Sequence, residues 1–404
     1  MNKENIEKIL KEIDNNDIDN NLKSEYYNDI LKSIKEVKTK YKKQINKQEK
    51  IEELYNKSKK YIPEKDQKLP SWVKDNIDDF KLISQNTIMD SKGQKYQLNN
   101  TLNDLNGAEW TFFINSVLNT RFKTSGEDSY EYKLRKIHPS PKPPNLMRDI
   151  IKFFTKENEI VLDYFMGVGG TLLGAFESNR RAIGIDLNKE YIETYKKVAQ
   201  NLNFKVFPTM EGDSLKILED RKKMNKILKN EKVGLILIDP PYSNMMSREK
   251  TGADMKKYGN SATPFTTEKS DLGNMENEEF LEKLKQSVIS SKKYLKDKGY
   301  IVVFIKDLQP KKKECNLLHS QIINKLTEID DIYYKGLKIW ADQTAKLFPY
   351  GYPFSFVANQ IHQYIIIFRK EWSLRNIYVL SKLNACFIES GVLLFKKISP
   401  SSFK

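Results

Sequence analysis

The chain has 404 residues, 39% of them hydrophobic and 30% charged, with a formal net charge of +15. That length supports a full-sized core in two or three domains, and the composition excludes a disordered chain. No stretch reaches membrane-span length and the beginning, MNKENIEKILKEI, lacks a signal-type apolar segment, so a cytoplasmic protein without membrane contacts is expected. The two cysteines, Cys315 and Cys386, have no CxxC spacing, and His138, His319 and His362 lie far apart along the chain, so neither a disulfide framework nor a metal site is expected. The basic excess favours a polyanionic partner, although a solvated lysine surface explains it equally well. Fifteen lysines against twelve acidic residues in the first sixty leave most of the excess to the rest of the chain.

In chain order, apolar positions at Ile6, Leu10 and Ile13, then Tyr26, Ile30, Ile34, Val37, Tyr41 and Ile45, predict two amphipathic helices interrupted at NNDIDNN, a helical hairpin over 1–60. KKYIPEKDQKLPSW reads as a linker, and 61–137 as a linker and candidate recognition region that includes the aromatic AEWTFFINSV. From 138 onward helices and strands alternate. NLMRDIIKFFTKE, TLLGAFESN, NKEYIETYKKVAQNL, SLKILEDRKKMNKIL and NEEFLEKLKQSVISSKKYLKDKG predict helices. EIVLDYF, RRAIGIDL, FKVFPTM, KVGLILID and YIVVFIKD predict strands, and YYKGLKIWA and HQYIIIFRK add two more. Such alternation implies an α/β domain with a doubly wound, mostly parallel sheet and helices on both faces.

The run VGLILI has the unbroken apolar character of a strand covered on both faces, yet it ends in Asp239-Pro240-Pro241-Tyr242. Ligands bind at the carboxyl ends of strands in such sheets, so this tetrapeptide is a candidate site. The glycine turn DYFMGVGGTLLG follows the first strand. It fails the dinucleotide pattern because Leu172 stands where a glycine or alanine is required. Asp186 closes the next strand, where a carboxylate can accept both ribose hydroxyls or cap the following helix. Asp213 suits an adenine amino group and a helix N-cap equally.

HPSPKPPNLMRDIIKFFT, VLDYFMGVGGTL, IGIDLN, GDSL and LIDPPY together resemble, in this order, the signature blocks of S-adenosylmethionine-dependent DNA amino-methyltransferases, which modify adenine N6 or cytosine N4. Tyr164 replaces the family's usual proline and Gly170 its first threonine. The resemblance implies a seven-stranded Rossmann-like methyltransferase domain over 138–370, with an insertion at 243–280 and an extension at 371–404. It implies S-adenosylmethionine as cofactor, held by His138, Ser140, Lys142, Asp163, Phe165, Gly167, Gly169, Thr171, Asp186 and Asp213. Asp239, Pro240, Pro241 and Tyr242 become the catalytic set. The Asp239 carboxylate and the Pro240 carbonyl each accept one amine N–H, and Tyr242 stacks on the base.

The partner implied is DNA, with Met245, Met246, Arg248, Lys256, Lys257, Tyr350 and Tyr352 as candidate contacts to it or to the target base, and no metal. A homodimer or a partner restriction or recognition subunit is a further expectation, since the 34 residues after Lys370 are too few for a recognition domain. Adenine N6 is the expected target. Cytosine N4 and RNA amino-methylation stay open, as does a basic DNA-binding protein with a vestigial cofactor fold. Cytosine C5 chemistry is disfavoured because neither cysteine follows a proline.

Overall fold

The computed structural model describes residues 27–241, 271–307, 317–345, 347–349 and 351–371. The chain divides into two units, Met1–Ile114 and Asn115–Lys404. In the first, α1 (Tyr27–Lys57) is one 31-residue helix; the other arm of the expected hairpin falls in 1–26, outside the described residues. Then come β1 (Lys59–Lys60), α2 (Ser71–Lys74), β2 (Lys81–Ser84), β3 (Thr87–Met89), β4 (Lys95–Gln97) and α3 (Gly107–Phe113). The four strands form an antiparallel sheet in chain order. The stretch expected to be a linker is built into this unit. Tyr61, Leu69 and Val73 are buried in a core with Phe80, Ile88 and Tyr96, and the Trp72 ring meets the last of these edge-on at 5.9 Å. Apolar rings among charges were enough to draw it in.

The second unit carries β5 (Val117–Thr120), α4 (Tyr132–Arg135), α5 (Pro144–Phe154), β6 (Ile160–Asp163), α6 (Gly170–Glu177), β7 (Arg181–Asp186), α7 (Lys189–Asn201), β8 (Thr209–Glu211), α8 (Ser214–Glu219), α9 (Arg221–Leu228), β9 (Val233–Ile238), α10 (Asn277–Ser291), β10 (Leu295–Ile305), α11 (Leu318–Thr327), β11 (Ile332–Asp342) and β12 (His362–Lys370). The strands form one sheet in the order β5-β11-β12-β10-β9-β6-β7-β8. β12 runs antiparallel to both its neighbours, and every other pairing is parallel. The sheet is α/β and mostly parallel, as expected, but has eight strands where seven were expected. The extra one is β5, which pairs with β11 from Ile339↔Val117 to Asp342↔Thr120. Four residues of alternating exposure are too short to stand out in a sequence.

Two further expectations change in detail. The helix expected over 214–228 is two helices, because the Asp220 carboxylate accepts the Lys223 N–H at 3.0 Å and starts a new one. The strand expected at FKVFPTM shrinks to β8, which follows Pro208, a residue with no N–H to pair.

All six residues of β9 are buried, as its apolar run requires. The chain runs outward from β6 through β7 to β8 and then returns to β9 on the other side, so the sheet's switch point lies between β6 and β9. One core face comprises Leu162, Ile183, Ile236, Ile238, Val303 and Phe368 with residues of α10 and α11. The other face receives α5 and α6, which pack against each other. A Cβ placed on Gly174 of α6 would lie 2.7 Å from the Pro144 carbonyl oxygen and 2.7 Å from the Arg148 nitrogen, both backbone atoms of α5. Gly174→Val should therefore destabilise the second unit by about 2–3 kcal/mol, read as a lowered urea midpoint with unchanged slope.

Candidate active site

At the switch point the carboxyl ends of the strands bring together acids and bases that are far apart in sequence. Asp163 ends β6, Asp186 ends β7, Asp239 follows β9 and Lys306 follows β10. Register places Asp163 level with Leu237 of β9 and Gly184 of β7.

The glycine turn after β6 is shaped by its neighbours. Gly167 and Gly169 have φ of +49° and +78°, the left-handed region where glycine alone is unstrained. A Cβ on Gly167 would lie 3.2 Å from His138 Nε2, and one on Gly170 would lie 2.6 Å from the Lys142 carbonyl oxygen. The HPSPKP segment is therefore pressed onto the turn, which is why glycine replaces threonine at 170. Tyr164, the other departure from the family pattern, is fully buried beside α10. Its hydroxyl lies 3.1 Å from Ser287 Oγ and its carbonyl accepts Ser214 Oγ–H at 2.5 Å.

Asp186 accepts the Gly167 N–H at 2.7 Å on one oxygen and the Asn188 N–H at 2.8 Å on the other. Each carboxylate oxygen keeps capacity for a further donor, so the ribose reading and the turn-holding reading are compatible. The helix cap at α7 comes from Asn188, whose side chain accepts the Glu190 N–H. Asp213 caps α8 through the Leu215 N–H at 2.9 Å. Burial pushes the Asp186 carboxyl up to about 6, against the pull of the Asn188 and Gly167 amides.

Asp163 is entirely buried. Burial raises it to about 7; the Thr171 hydroxyl and the Phe165 N–H, 3.0 Å away, pull it down, and the charges of Asp239 and Asp186 push it further up. His138 moves the opposite way. Burial and the Lys142 charge depress it to about 3, so the ring is neutral. Its Nδ1 accepts the Ser140 N–H at 3.2 Å, which leaves the proton on Nε2, the nitrogen nearest Gly167. The ring also meets Tyr191 edge-on at 4.9 Å.

Lys142 and Asp239 form the central contact, Nζ to Oδ1 at 2.7 Å, with side chains 6% and 15% exposed. The backbone of Lys142 is fixed from the other side, since buried Arg135 donates from Nη1 to its carbonyl at 2.9 Å and from Nε to the Tyr130 carbonyl at 3.0 Å. The Lys142 ammonium also lies 5.5 Å from the Phe304 ring centre. Lys142, expected at the cofactor, thus reaches the proposed catalytic carboxylate.

Three groups here escaped the sequence reading. Lys306 is pulled below its ordinary value by burial and by the Lys142 charge. Buried Asp271 caps the turn at Gly273 and adds its charge to the field on Asp186. Asp307 accepts His319 Nδ1 at 2.8 Å, and His319 stacks on Tyr364 at 4.1 Å while His362 meets the same ring edge-on at 5.2 Å. The available signal was a pair of polar residues, Lys306-Asp307, directly after an apolar strand, the pattern that marked Asp239.

Of the remaining expected residues, Tyr352 is 81% exposed, with Phe354 and Phe356 exposed beside it, so this loop is not ordinary core. Tyr242, Met245, Met246, Arg248, Lys256, Lys257 and Tyr350 lie outside the described residues.

A doubly wound sheet with a glycine turn at its switch point and an acid at the end of the adjoining strand places a ligand site at this edge. The family model described as DNA methylase, N6_N4_Mtase, matches residues 4–197. The chain is 46% identical over 68 residues to the type II methyltransferase M.HpaI of Haemophilus parainfluenzae, covering 17% of this chain and 22% of that protein. It is 53% identical over 51 residues to the type II methyltransferase M.HindIII of Haemophilus influenzae, covering 13% and 16%. Over 142 residues it is 32% identical to the tRNA (guanine(10)-N2)-dimethyltransferase of Methanocaldococcus jannaschii, covering 33% and 38%. The chain thus spans well under half the length of each of these relatives. That family match covers 194 of the 404 residues, and the cofactor it supports is S-adenosylmethionine. The left-handed Gly167 under His138 and the remaining acceptor capacity of Asp186 fit that cofactor.

Two measurements test this electrostatic arrangement. A carboxyl raised by folding stabilises most below its unfolded value near 4 and loses that contribution as pH rises through about 7. Asp163→Asn should remove the dependence, so its stability relative to wild type should rise by about 2–4 kcal/mol between pH 4 and pH 8 in denaturant titrations. Lys142→Gln should lower methyl-transfer kcat by about 10–100-fold with cofactor Kd nearly unchanged, and Lys142→Arg should recover part of the loss. A weakened cofactor Kd with intact kcat would return Lys142 to the cofactor.

Proposed function

We propose that this chain transfers a methyl group from S-adenosylmethionine to the exocyclic amine of a base extruded from DNA, with adenine N6 as the target. The observation that carries the reading is the buried Lys142–Asp239 pair at the switch point, beside the acids that fit the cofactor. An exocyclic amine is a weak nucleophile because its lone pair is delocalised into the ring. The Asp239 carboxylate has lone pairs enough to stay on Lys142 and accept one amine N–H, while the Pro240 carbonyl accepts the other. Held in this way, the nitrogen is drawn towards a tetrahedral shape with its lone pair directed at the methyl carbon. When bound, S-adenosylmethionine supplies an electrophilic methyl group on a sulfonium. As positive charge develops on the amine, Asp239 stabilises it and takes the departing proton or hands it to water.

A base must leave the duplex to reach this edge, at a cost of a few kcal/mol. Tyr242 is proposed as one stacking face. The exposed rings of Tyr352, Phe354 and Phe356, between β11 and β12, offer others, each worth about 1–3 kcal/mol per base. Cytosine N4 would be served by the same acceptors. A second reading, methylation of an RNA amine, is favoured by the match to the tRNA dimethyltransferase, which is the longest of the three.

The full chain should be expressed in a methylation-deficient host and the modified bases of its genomic DNA read with their sequence context. N6-methyladenine at a defined motif is the expected result, and N4-methylcytosine, or methylated RNA with unmodified DNA, would replace it. Asp239→Ala should reduce transfer by about 10²–10³-fold while cofactor binding persists. No transfer by the wild-type chain, with DNA binding unchanged by Asp239→Ala, would favour a binding protein with a vestigial cofactor fold.

A further inference from the structure

We infer that the first unit carries a lysine-lined groove that holds the phosphate backbone of duplex DNA; the choice of DNA among polyanions rests on the reading above. One wall is the face of α1 that presents Lys43, Lys47 and Lys50, spaced four and three residues apart and so aligned along about 10 Å of helix. The other wall is the β3–β4 connection with Lys92 and Lys95. Between them is a groove of about 820 Å³ with Ile51 and Met89 in its lining.

All five lysines are exposed, and among the described residues none forms a close ion pair, although Lys92 feels the charge of Asp79 at longer range. Among the described residues, no aspartate or glutamate lines the groove. The acids nearby make their hydrogen bonds and close ion pairs elsewhere. Asp90 accepts the backbone and side-chain N–H groups of Gln94 at 2.7 and 2.8 Å, Asp79 accepts from Tyr55 and Ser91, and Glu53 pairs with Lys57. Like charges facing one another across a concavity repel, and the repulsion is relieved when a polyanion occupies it.

The groove is held open by contacts that do not involve these lysines. Gly93 sits at φ +83°, and a Cβ there would lie 2.7 Å from Ile51 Cδ1, so the turn backbone rests directly on the helix. The Tyr55 hydroxyl donates to Asp79 at 3.0 Å, and the Lys81 ammonium lies 4.1 Å from the centre of the Tyr55 ring. The lining has no arginine fork for base edges and no aromatic platform for unstacked bases. Point-charge ammonium groups in rows suit phosphates of a duplex, so the groove contributes affinity and position without selecting sequence.

The test uses the full chain and a labelled random-sequence duplex, followed by anisotropy between about 50 and 200 mM salt. The variant Lys43→Gln/Lys47→Gln/Lys92→Gln should lower the slope of log affinity against log salt by about 2.7, so that this fourfold rise in salt costs about 40-fold less than in wild type. The corresponding Lys→Arg triple should keep the wild-type slope, which separates charge from folding. The KM for DNA should rise in the Gln variant with cofactor Kd and kcat unchanged. A wild-type slope in the Gln variant would overturn the inference, as would a loss confined to single-stranded RNA or to polyglutamate. Were the methyl-transfer reading to fail on its own, the lysine-dependent slope would persist on DNA that stays unmethylated.

Discussion

A lysine and an aspartate buried against each other at 2.7 Å impose conditions on everything around them. Two charges taken out of water cost several kcal/mol each to desolvate, and removing either partner of such a pair typically costs about 3–5 kcal/mol because the other is left uncompensated. The fold must therefore deliver both groups accurately. Asp239 is placed by the most thoroughly buried strand of the sheet, whose register is fixed by β6 on one side and β10 on the other. Lys142 comes from an irregular segment, and irregular backbone must be pinned. Arg135 grips its carbonyl from one side, and the absent side chain of Gly170 admits that same carbonyl from the other. Arg135 accepts nearly complete burial to do this, and that burial lowers even a guanidinium to about 10.

The same edge holds an excess of acids, and this explains how each can be ionised or neutral as its position demands. Asp163 faces Asp239 and Asp186 without a cation of its own among the causes of its shift, so it is held towards the neutral form. Asp186 is buried too, but two backbone amides keep it closer to the usual carboxylate range. Asp239 has the Lys142 ammonium. Three carboxyl groups on adjacent strands thus differ by environment alone. The neutral His138 completes the pattern, because a second cation beside Lys142 would compete for Asp239.

Much of this was legible in the sequence where burial on two faces leaves a simple signature. VGLILI is read as a central strand because both faces of β9 demand apolar side chains, and the polar residues that follow then mark the edge where ligands bind. The glycine turn was legible because positive φ restricts the residue type. What stayed hidden depends on contacts across the chain. Nothing local in HPSPKP says that its lysine ends on Asp239, 97 residues on, and nothing in VLNT says that it extends the sheet beside β11. KKYIPEKDQKLPSW looked like a linker because its prolines and charges dominate any short window, whereas its buried Tyr61 and Leu69 act only once Phe80, Ile88 and Tyr96 are in place.

The two departures from the family pattern are connected through this geometry. A tyrosine at 164 needs depth, and it finds it on the core face where Ser287 of α10 meets its hydroxyl. Its carbonyl is engaged by Ser214 at the start of α8, so the residue that follows Asp163 ties the glycine turn to the element that carries Asp213. A glycine at 170 answers on the opposite face, where the close approach of Lys142 leaves no room for a side chain. A side chain at 170 then bears on the Lys142–Asp239 contact, since it would push on the Lys142 carbonyl.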